Sequence, residues 1–174
     1  MSRKVVPRLP APAYRQAGLA GKRRVLLFFT SLLRFALYNS AVIPYQTRSS
    51  KITGTKFGEL IKETRMFFET IESKTKRRPY VRSAYFEKRK VFFDLFWKHL
   101  YQKSFKERSK RLKFIRCAVE LVEKSRNDPD SIEEKRGEIW HRFGGLTKSG
   151  ELFYVQVKED KKTRRLDFMS VFPG

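Results

Sequence analysis

Gly137–Asp160 reads GEIWHRFGGLTKSGELFYVQVKED. Its second half, ELFYVQVKE at 151–159, alternates strictly. Phe153, Val155 and Val157 fall on one side, and Leu152, Tyr154, Gln156 and Lys158 on the other. A period of two is that of a strand with one face buried. EIWHRF (138–143) is a second strand, and the turn-forming GGLTKSG (144–150) joins the two. Downstream, DKKTRR (160–165) is another turn, LDFMSVF (166–172) a third strand, and Pro173 its end. Strands joined by loops of hairpin length form an antiparallel meander. In the first strand the pattern does not choose a face. Either Ile139, His141 and Phe143 point inward or Trp140 and Arg142 do, because Trp140 and Phe143 compete for the core.

Three strands with one apolar face need a cover. The sequence upstream supplies it as amphipathic helices. In 56–74, Phe57, Leu60, Ile61, Phe67, Phe68 and Ile71 recur at helical spacing, and the basic run KTKRRP stops that helix at Pro79. In 83–103, Ser83 is an N-cap and Phe86, Phe93 and Leu100 repeat every seven residues. Ser104 and Glu107 make a capping-box signature. The helix they open carries the stripe Phe105, Arg108, Leu112, Ile115, Val119 and Val122 and runs to about Arg126. NDPDSIEEK (127–135) reads as an acidic linker. The expected fold is α+β: N-terminal amphipathic helices packed on a small C-terminal antiparallel β-meander. Its parts are a basic arm (1–55), a helical region (56–126) and a sheet region (127–174).

The arm has two pieces. Residues 1–24 carry three prolines and scattered Arg and Lys without a hydrophobic period, as a disordered segment does. Residues 25–45 are long enough to cross a bilayer, with Arg34 as the only charge. A central Arg costs about 2.5 to 3.5 kcal/mol on an insertion scale, and the apolar residues offset it closely. A buried helix, a membrane segment and a targeting sequence all fit, and membrane association is the less favoured. Translation from a downstream start also fits.

The formal net charge is +22, which points to a polyanionic partner, nucleic acid first. Residues 1–58 hold eleven Lys and Arg and no acid, 59–125 nineteen against nine, and 126–174 ten against nine. The electrostatic footprint therefore lies outside the sheet region. The chain has one cysteine, Cys117, so no internal disulfide forms and a reducing, cytoplasmic setting is expected. Cys117 sits among apolar helix residues, as an inert buried thiol does. One Cys and two His, His99 and His141, do not fill a structural zinc site, and no metal or cofactor is expected.

Chemistry concentrates on the sheet. Tyr154, Gln156 and Lys158 share one face, and Ser170 joins them. His141 joins as well if the first strand turns that way. Lys161, Lys162, Arg164 and Arg165 follow in the next turn, and Lys110, Arg111 and Lys113 lie on a helix upstream. An imidazole, a hydroxyl and several cations are the groups that cleave RNA without metal. A base takes the 2′-OH proton, an acid protonates the 5′-oxygen, and cations hold the phosphorane. His141 has the intrinsic pKa for either proton role. Arg142, Arg164 or Lys158 can hold the phosphate, and Glu159 can serve as a base. The basic clusters also suit sequence-blind phosphate binding, with Tyr80, Tyr85, Phe86 and Tyr101 placed to stack on bases.

The segment EIWHRFGGLTKSGELFYVQVKEDKKTRRLDFMSVFP (138–173) resembles the end of the barnase–EndoU–colicin–RelE-like group of nucleases, especially its phage and mobile-element branches. The His141–Arg142 pair, the middle strand FYVQVKED (153–160) and the closing SVFP (170–173) carry the likeness. In that group a helical part precedes a small antiparallel sheet, typically of four or more strands. The resemblance implies a metal-independent ribonuclease of toxin or defence type, with RNA as substrate and an inhibitory protein as a possible partner. It carries over His141, Arg142, Lys158 and Ser170 as catalytic residues. A non-enzymatic nucleic-acid-binding protein of a mobile element is the alternative.

Overall fold

The alternation at 151–159 is realised as the central strand of a sheet in the computed structural model, which describes residues 43–174. The basic arm 1–24 and all but the last three residues of the apolar stretch 25–45 lie outside the described residues. In chain order the elements are β1 (Tyr45–Gln46), α1 (Phe57–Glu72), β2 (Tyr80–Arg82), β3 (Lys90–Phe92), α2 (Asp94–Tyr101), α3 (Phe105–Lys113) and α4 (Ile115–Lys124). Then come β4 (Ser131–Lys135), β5 (Glu138–Leu146), β6 (Leu152–Asp160) and β7 (Leu166–Pro173). The α+β class holds. No helix among the described residues is long and apolar enough to cross a membrane.

The sheet is larger than a three-stranded meander and it is mixed. Its order is β1-β5-β6-β7-β3-β2, with β4 also on the β5 edge. Four consecutive strands, β4 to β7, pair antiparallel. β1 pairs parallel to β5, and β3 parallel to β7. The acidic linker is thus a strand in part. SIEEK pairs with the first half of β5 although its one large apolar residue, Ile132, is 57% exposed. Backbone bonds hold it, and no apolar period marks it.

The expected helix over 83–103 is also corrected. Tyr80–Arg82 and Lys90–Phe92 form an antiparallel pair. Glu87 and Lys88 lie at φ +52° and +65°, which closes a tight turn that a continuous helix does not permit. Lys88 N–H donates to the Ser83 carbonyl at 2.7 Å and Ser83 N–H to the Arg89 carbonyl at 3.0 Å, so Ser83 anchors a turn instead of capping a helix. Helix begins only at Asp94. The long last helix breaks at Phe114 (φ −93°, ψ 0°), whose ring enters the core. The N-cap half of the box is present: Ser104 Oγ accepts from Glu107 N–H at 3.4 Å, while the Glu107 carboxylate lies 3.8 Å from Arg111 Nη2.

Packing follows the alternation. Phe153, Val155 and Val157 are fully buried on the helix-covered face. Phe68, Phe93, Phe96 and Phe168 interlock there, with ring centroids 5.1 to 5.7 Å apart. Phe168 and Val171 are three apart, so a regular strand would point them to opposite faces. β7 escapes this because its ladder skips Met169: Val157 pairs with Phe168 and Gln156 with Ser170. This bulge lets both apolar side chains face the helices. Gly145 is required where β5 passes α4, since a Cβ there would lie 2.8 Å from Phe153 Cζ and 3.1 Å from Leu121 Cδ2. Cys117 is buried and donates to the Ser49 carbonyl at 3.3 Å, and burial pushes its thiol pKa up.

Glu120 on α4 ties the segment after β1 to the domain. Its carboxylate accepts from Arg48 N–H at 3.0 Å, from Ser49 N–H at 2.9 Å and from the Ser49 hydroxyl. Burial pushes its pKa up, but these donors win and hold it below the ordinary carboxylate value. Glu120→Ala strands two backbone N–H groups. It is expected to cost about 2–3 kcal/mol in the urea midpoint, with Glu120→Gln costing less because an amide oxygen still accepts.

Candidate nucleic-acid site

The register of β5 on β6 decides where each candidate side chain points. Directly opposed residues share a face, and the pairs are Trp140 with Lys158, His141 with Val157, and Arg142 with Gln156. His141 therefore lies on the helix-covered face with Ile139 and Phe143. Trp140, Arg142, Gln156 and Lys158 lie on the open face. The expected cluster of His141, Arg142, Lys158 and Ser170 is divided by the sheet.

On the covered face, Glu159 is the hub. His141 Nε2 lies 3.3 Å from Glu159 Oε2, Arg89 Nη2 3.0 Å and Arg164 Nε 3.2 Å from Oε1. Arg89 also donates to the Arg164 carbonyl. Two turns present these guanidinium groups. The Ser83–Arg89 turn delivers Arg89. In the β6–β7 turn, Asp160 Oδ1 accepts from Thr163 N–H at 2.7 Å and from its hydroxyl at 2.9 Å, and Arg164 takes φ +59°. These bonds lower the Asp160 pKa. Glu159 and His141 are 4% and 6% exposed, whereas the Arg164 side chain is 65% exposed and forms the outer wall. Phe86 packs on the imidazole edge-on, with centroids 4.9 Å apart. In the neutral imidazole whose Nε2–H donates to the carboxylate, Nδ1 carries no proton, and it is buried without a partner among the described residues. Burial lowers the His141 pKa. Glu159 pulls it back up, and Arg89 adds to the lowering.

The open face alternates cations with rings. Arg142 lies over Tyr154 at 4.5 Å, Lys90 over Tyr80 at 4.6 Å, and Arg165 over Phe92 at 4.8 Å. Lys158 pairs with Glu138 at 2.8 Å. Arg165 is locked between Asp94 and Asp167 at 2.8 and 2.9 Å, which raises its pKa against the effect of burial. Ser170 is buried and its hydroxyl accepts from Arg111, whose guanidinium lies 5.6 Å from the Phe172 ring centroid. A concave groove of about 700 Å³ opens between β4 and β6, with Ser131, Trp140, Arg142 and Gln156 in its lining. Of the turn lysines, Lys161 pairs with Glu134, and Lys162 is exposed without an ion pair among the described residues. Lys110 is exposed and Lys113 half-buried on α3, away from the groove lining.

In the sequence Arg89 is legible only as one charge of the basic cluster EKRK (87–90), because the 83–103 segment reads as helix and not as the turn that brings it to Glu159. Trp140 presents itself in the sequence only as a competitor for the core. Among the described residues no group of three His, Cys, Asp or Glu is arranged to hold a metal ion. Compared with protein-family models, curated proteins and solved structures, the chain matches none of them.

The depressed His141 pKa has a stability consequence. The unfolded chain binds a proton near pH 6.5 that the folded one resists, so this contribution is complete above that pH and lost below it. The urea midpoint is expected to be flat above about pH 7 and to fall as pH drops through 6.5. His141→Phe is expected to show a smaller fall, the remainder coming from His99, whose pKa burial also lowers, and His141→Phe with His99→Gln to lose it. A parent midpoint constant from pH 7.5 to 5 would contradict the assignment.

Proposed function

We propose that the protein is a metal-independent ribonuclease that works on RNA in the cytoplasm. The observation that carries this reading is the Glu159 hub: a carboxylate with an imidazole and two guanidinium groups each within 3.3 Å of one of its oxygens. Buried charge is costly to desolvate, so a buried cluster of this kind is a candidate functional site. The likeness of 138–173 to the toxin-like nuclease group supports the same class, as does a run of four antiparallel strands behind helices.

In this reading Glu159 removes the 2′-OH proton of a ribose as its oxygen attacks the adjacent phosphorus. The bond from phosphorus to the 5′-oxygen breaks, and the leaving oxygen takes a proton from water, which in turn recovers the one held by Glu159. The products are a 2′,3′-cyclic phosphate and a 5′-hydroxyl end. Arg89 and Arg164 hold the charge that develops on the phosphoryl oxygens. His141 exchanges the proton with Glu159 through Nε2. Arg164, mostly exposed, is the side chain that must swing aside to admit the phosphate. RNA on the open face reaches this cluster round the end of the sheet, where the β4–β5 and β6–β7 turns meet. Lys161 N–H donates there to the Gly137 carbonyl at 3.1 Å, and Arg136, Lys161 and Lys162 line the path. A toxin-like enzyme of a mobile element would have an inhibitory partner protein.

A second reading is non-enzymatic nucleic-acid binding. The burial of His141 and Glu159 on the helix-covered face, across the sheet from Arg142 and Lys158, favours it.

The test is total RNA incubated with the full chain in excess EDTA, beside His141→Ala and Glu159→Gln. Fragmentation that persists in EDTA is expected, with each variant slower by roughly a hundredfold or more while its folding and RNA affinity remain. RNA that stays intact while bound transfers the protein to the second reading.

A further inference from the structure

The open-face groove holds three polar groups with no protein partner. The Trp140 indole N–H, the Arg142 guanidinium and the Gln156 side-chain amide make no side-chain hydrogen bond among the described residues, while the neighbouring charges Lys158, Lys135 and Lys161 are all paired. They converge. Arg142 and Gln156 are cross-strand partners on β5 and β6, and Trp140 is two residues along the same face from Arg142. Arg142 is exposed and rests on the Tyr154 ring, which packs in turn on Phe172 with centroids 5.7 Å apart. The outer surface of that stack is a planar cation open to solvent. Ser131, opposite Arg142 on β4, and Glu133, opposite Trp140, stand on the other wall. A groove with a planar floor, an aromatic wall, and donors and acceptors along its sides has the attributes of a site for a flat polar heterocycle.

We propose that this groove is a nucleobase-binding site for single-stranded RNA. One unstacked base lies on the Arg142–Tyr154 stack, and Gln156 and Glu133 meet its hydrogen-bonding edge. Unpaired bases are held in this way on aromatic rings and guanidinium planes. A-form duplex buries its base faces in its own stack and presents no such surface. The net charge of +22 supplies the phosphate attraction that any strand form would share. The groove supplies the preference for a single strand. The inference deepens the RNA reading and rests on it for its ligand, but not on cleavage.

The chain has two tryptophans, Trp97 and Trp140, and Trp97 packs against the Phe68 and Phe96 rings. The experiment uses the full chain carrying Trp97→Phe, so that Trp140 alone reports. It is titrated with a 2′-O-methyl RNA single strand, which cannot be cleaved, with the duplex of the same length, and with polyphosphate. The single strand is expected to quench Trp140 and to bind more tightly than the duplex at equal salt. Arg142→Lys keeps the charge and loses the plane. It is expected to weaken single-strand binding by roughly five- to a hundredfold and polyphosphate binding little. Gln156→Ala is expected to change the ranking of the four homopolymers. Equal affinity for all three ligands, with Trp140 silent and Arg142→Lys unchanged, overturns the proposal in favour of charge alone. RNA fragmentation together with that result removes the base site and leaves the nuclease reading. Base-dependent quenching without fragmentation removes the nuclease reading and leaves the base site. No binding of any polyanion removes both.

Discussion

The pairing of β5 with β6 is the constraint on which the rest of the molecule depends. Nine residues of each strand oppose one another without interruption, from Glu138 with Asp160 to Leu146 with Leu152. Because side chains alternate, a slip of one residue would exchange the two faces completely. Phe153, Val155 and Val157 would then meet water, and Tyr154, Gln156 and Lys158 would meet α4. The apolar set forbids that, so the register is strongly specified. It carries His141 inward beside Val157 and Arg142 outward beside Gln156 as unavoidable by-products. Two adjacent residues that read as one catalytic pair are thereby separated by the thickness of the sheet. The same register places Glu159 inward at the end of β6, where the apolar core gives out and two turns bring guanidinium groups to meet it.

That position at the rim explains how a carboxylate can be buried there at all. A charge deep under Val155 would face only aliphatic carbon and cost several kcal/mol to desolvate. One step from the strand end, Glu159 is reached from the β2–β3 side by Arg89 and from the β6–β7 turn by Arg164. Both turns adopt left-handed backbone at non-glycine residues, Glu87, Lys88 and Arg164, a conformation that such residues visit only under constraint. The Arg89 contact to the Arg164 carbonyl links one strained turn to the other. Backbone strain, buried charge and the unpaired His141 Nδ1 thus occur within one small region. Each is unfavourable for stability, and concentrating all three in one place is the pattern expected where function has overridden local consistency.

How much was legible follows from which signal each element carries. β6 announces itself because a half-buried strand must alternate, and Phe153, Val155 and Val157 do; β7 is legible as an apolar run between a turn and Pro173, whereas its bulge at Met169 is not. β4 has no such signal. It is an edge strand whose side chains are mostly charged, and it is held through its backbone, including Asp130 N–H donating to the Arg142 carbonyl at 2.7 Å. A composition of Ile, Glu and Lys says linker as readily as strand. β2 and β3 are three residues each and sit beside genuine helix, so the heptad of Phe86, Phe93 and Leu100 reads through them. All three of those residues are buried, but from a turn, a strand end and a helix, and shared burial mimics a shared helical face. The candidate cations Arg164, Arg165 and Arg111 were found as charges. Their surroundings differ because partners such as Glu159 for Arg164 across the turn, Asp94 for Arg165 and Ser170 for Arg111 are brought together by the fold.

Charge alone does not distinguish one polyanion from another. The exposed lysines on α3 and the basic run at 74–78 attract phosphate by a long-range, salt-screened force that is indifferent to strand form. Selectivity needs short-range groups held in fixed planes, and the sheet is where the chain holds them. Arg142 over Tyr154, Lys90 over Tyr80 and Arg165 over Phe92 are set by cross-strand neighbours and not by flexible helix surface. Of these, Arg165 is neutralised by two carboxylates, whereas Arg142 has none bonded to it. An unpaired guanidinium lying on a ring, beside an unpaired amide and an unpaired indole, is open to water, which satisfies the donors but covers the planar faces less favourably than a ring would. A heterocycle satisfies both, and this is the physical reason to look for a base on the open face while the proton chemistry is sought at the rim.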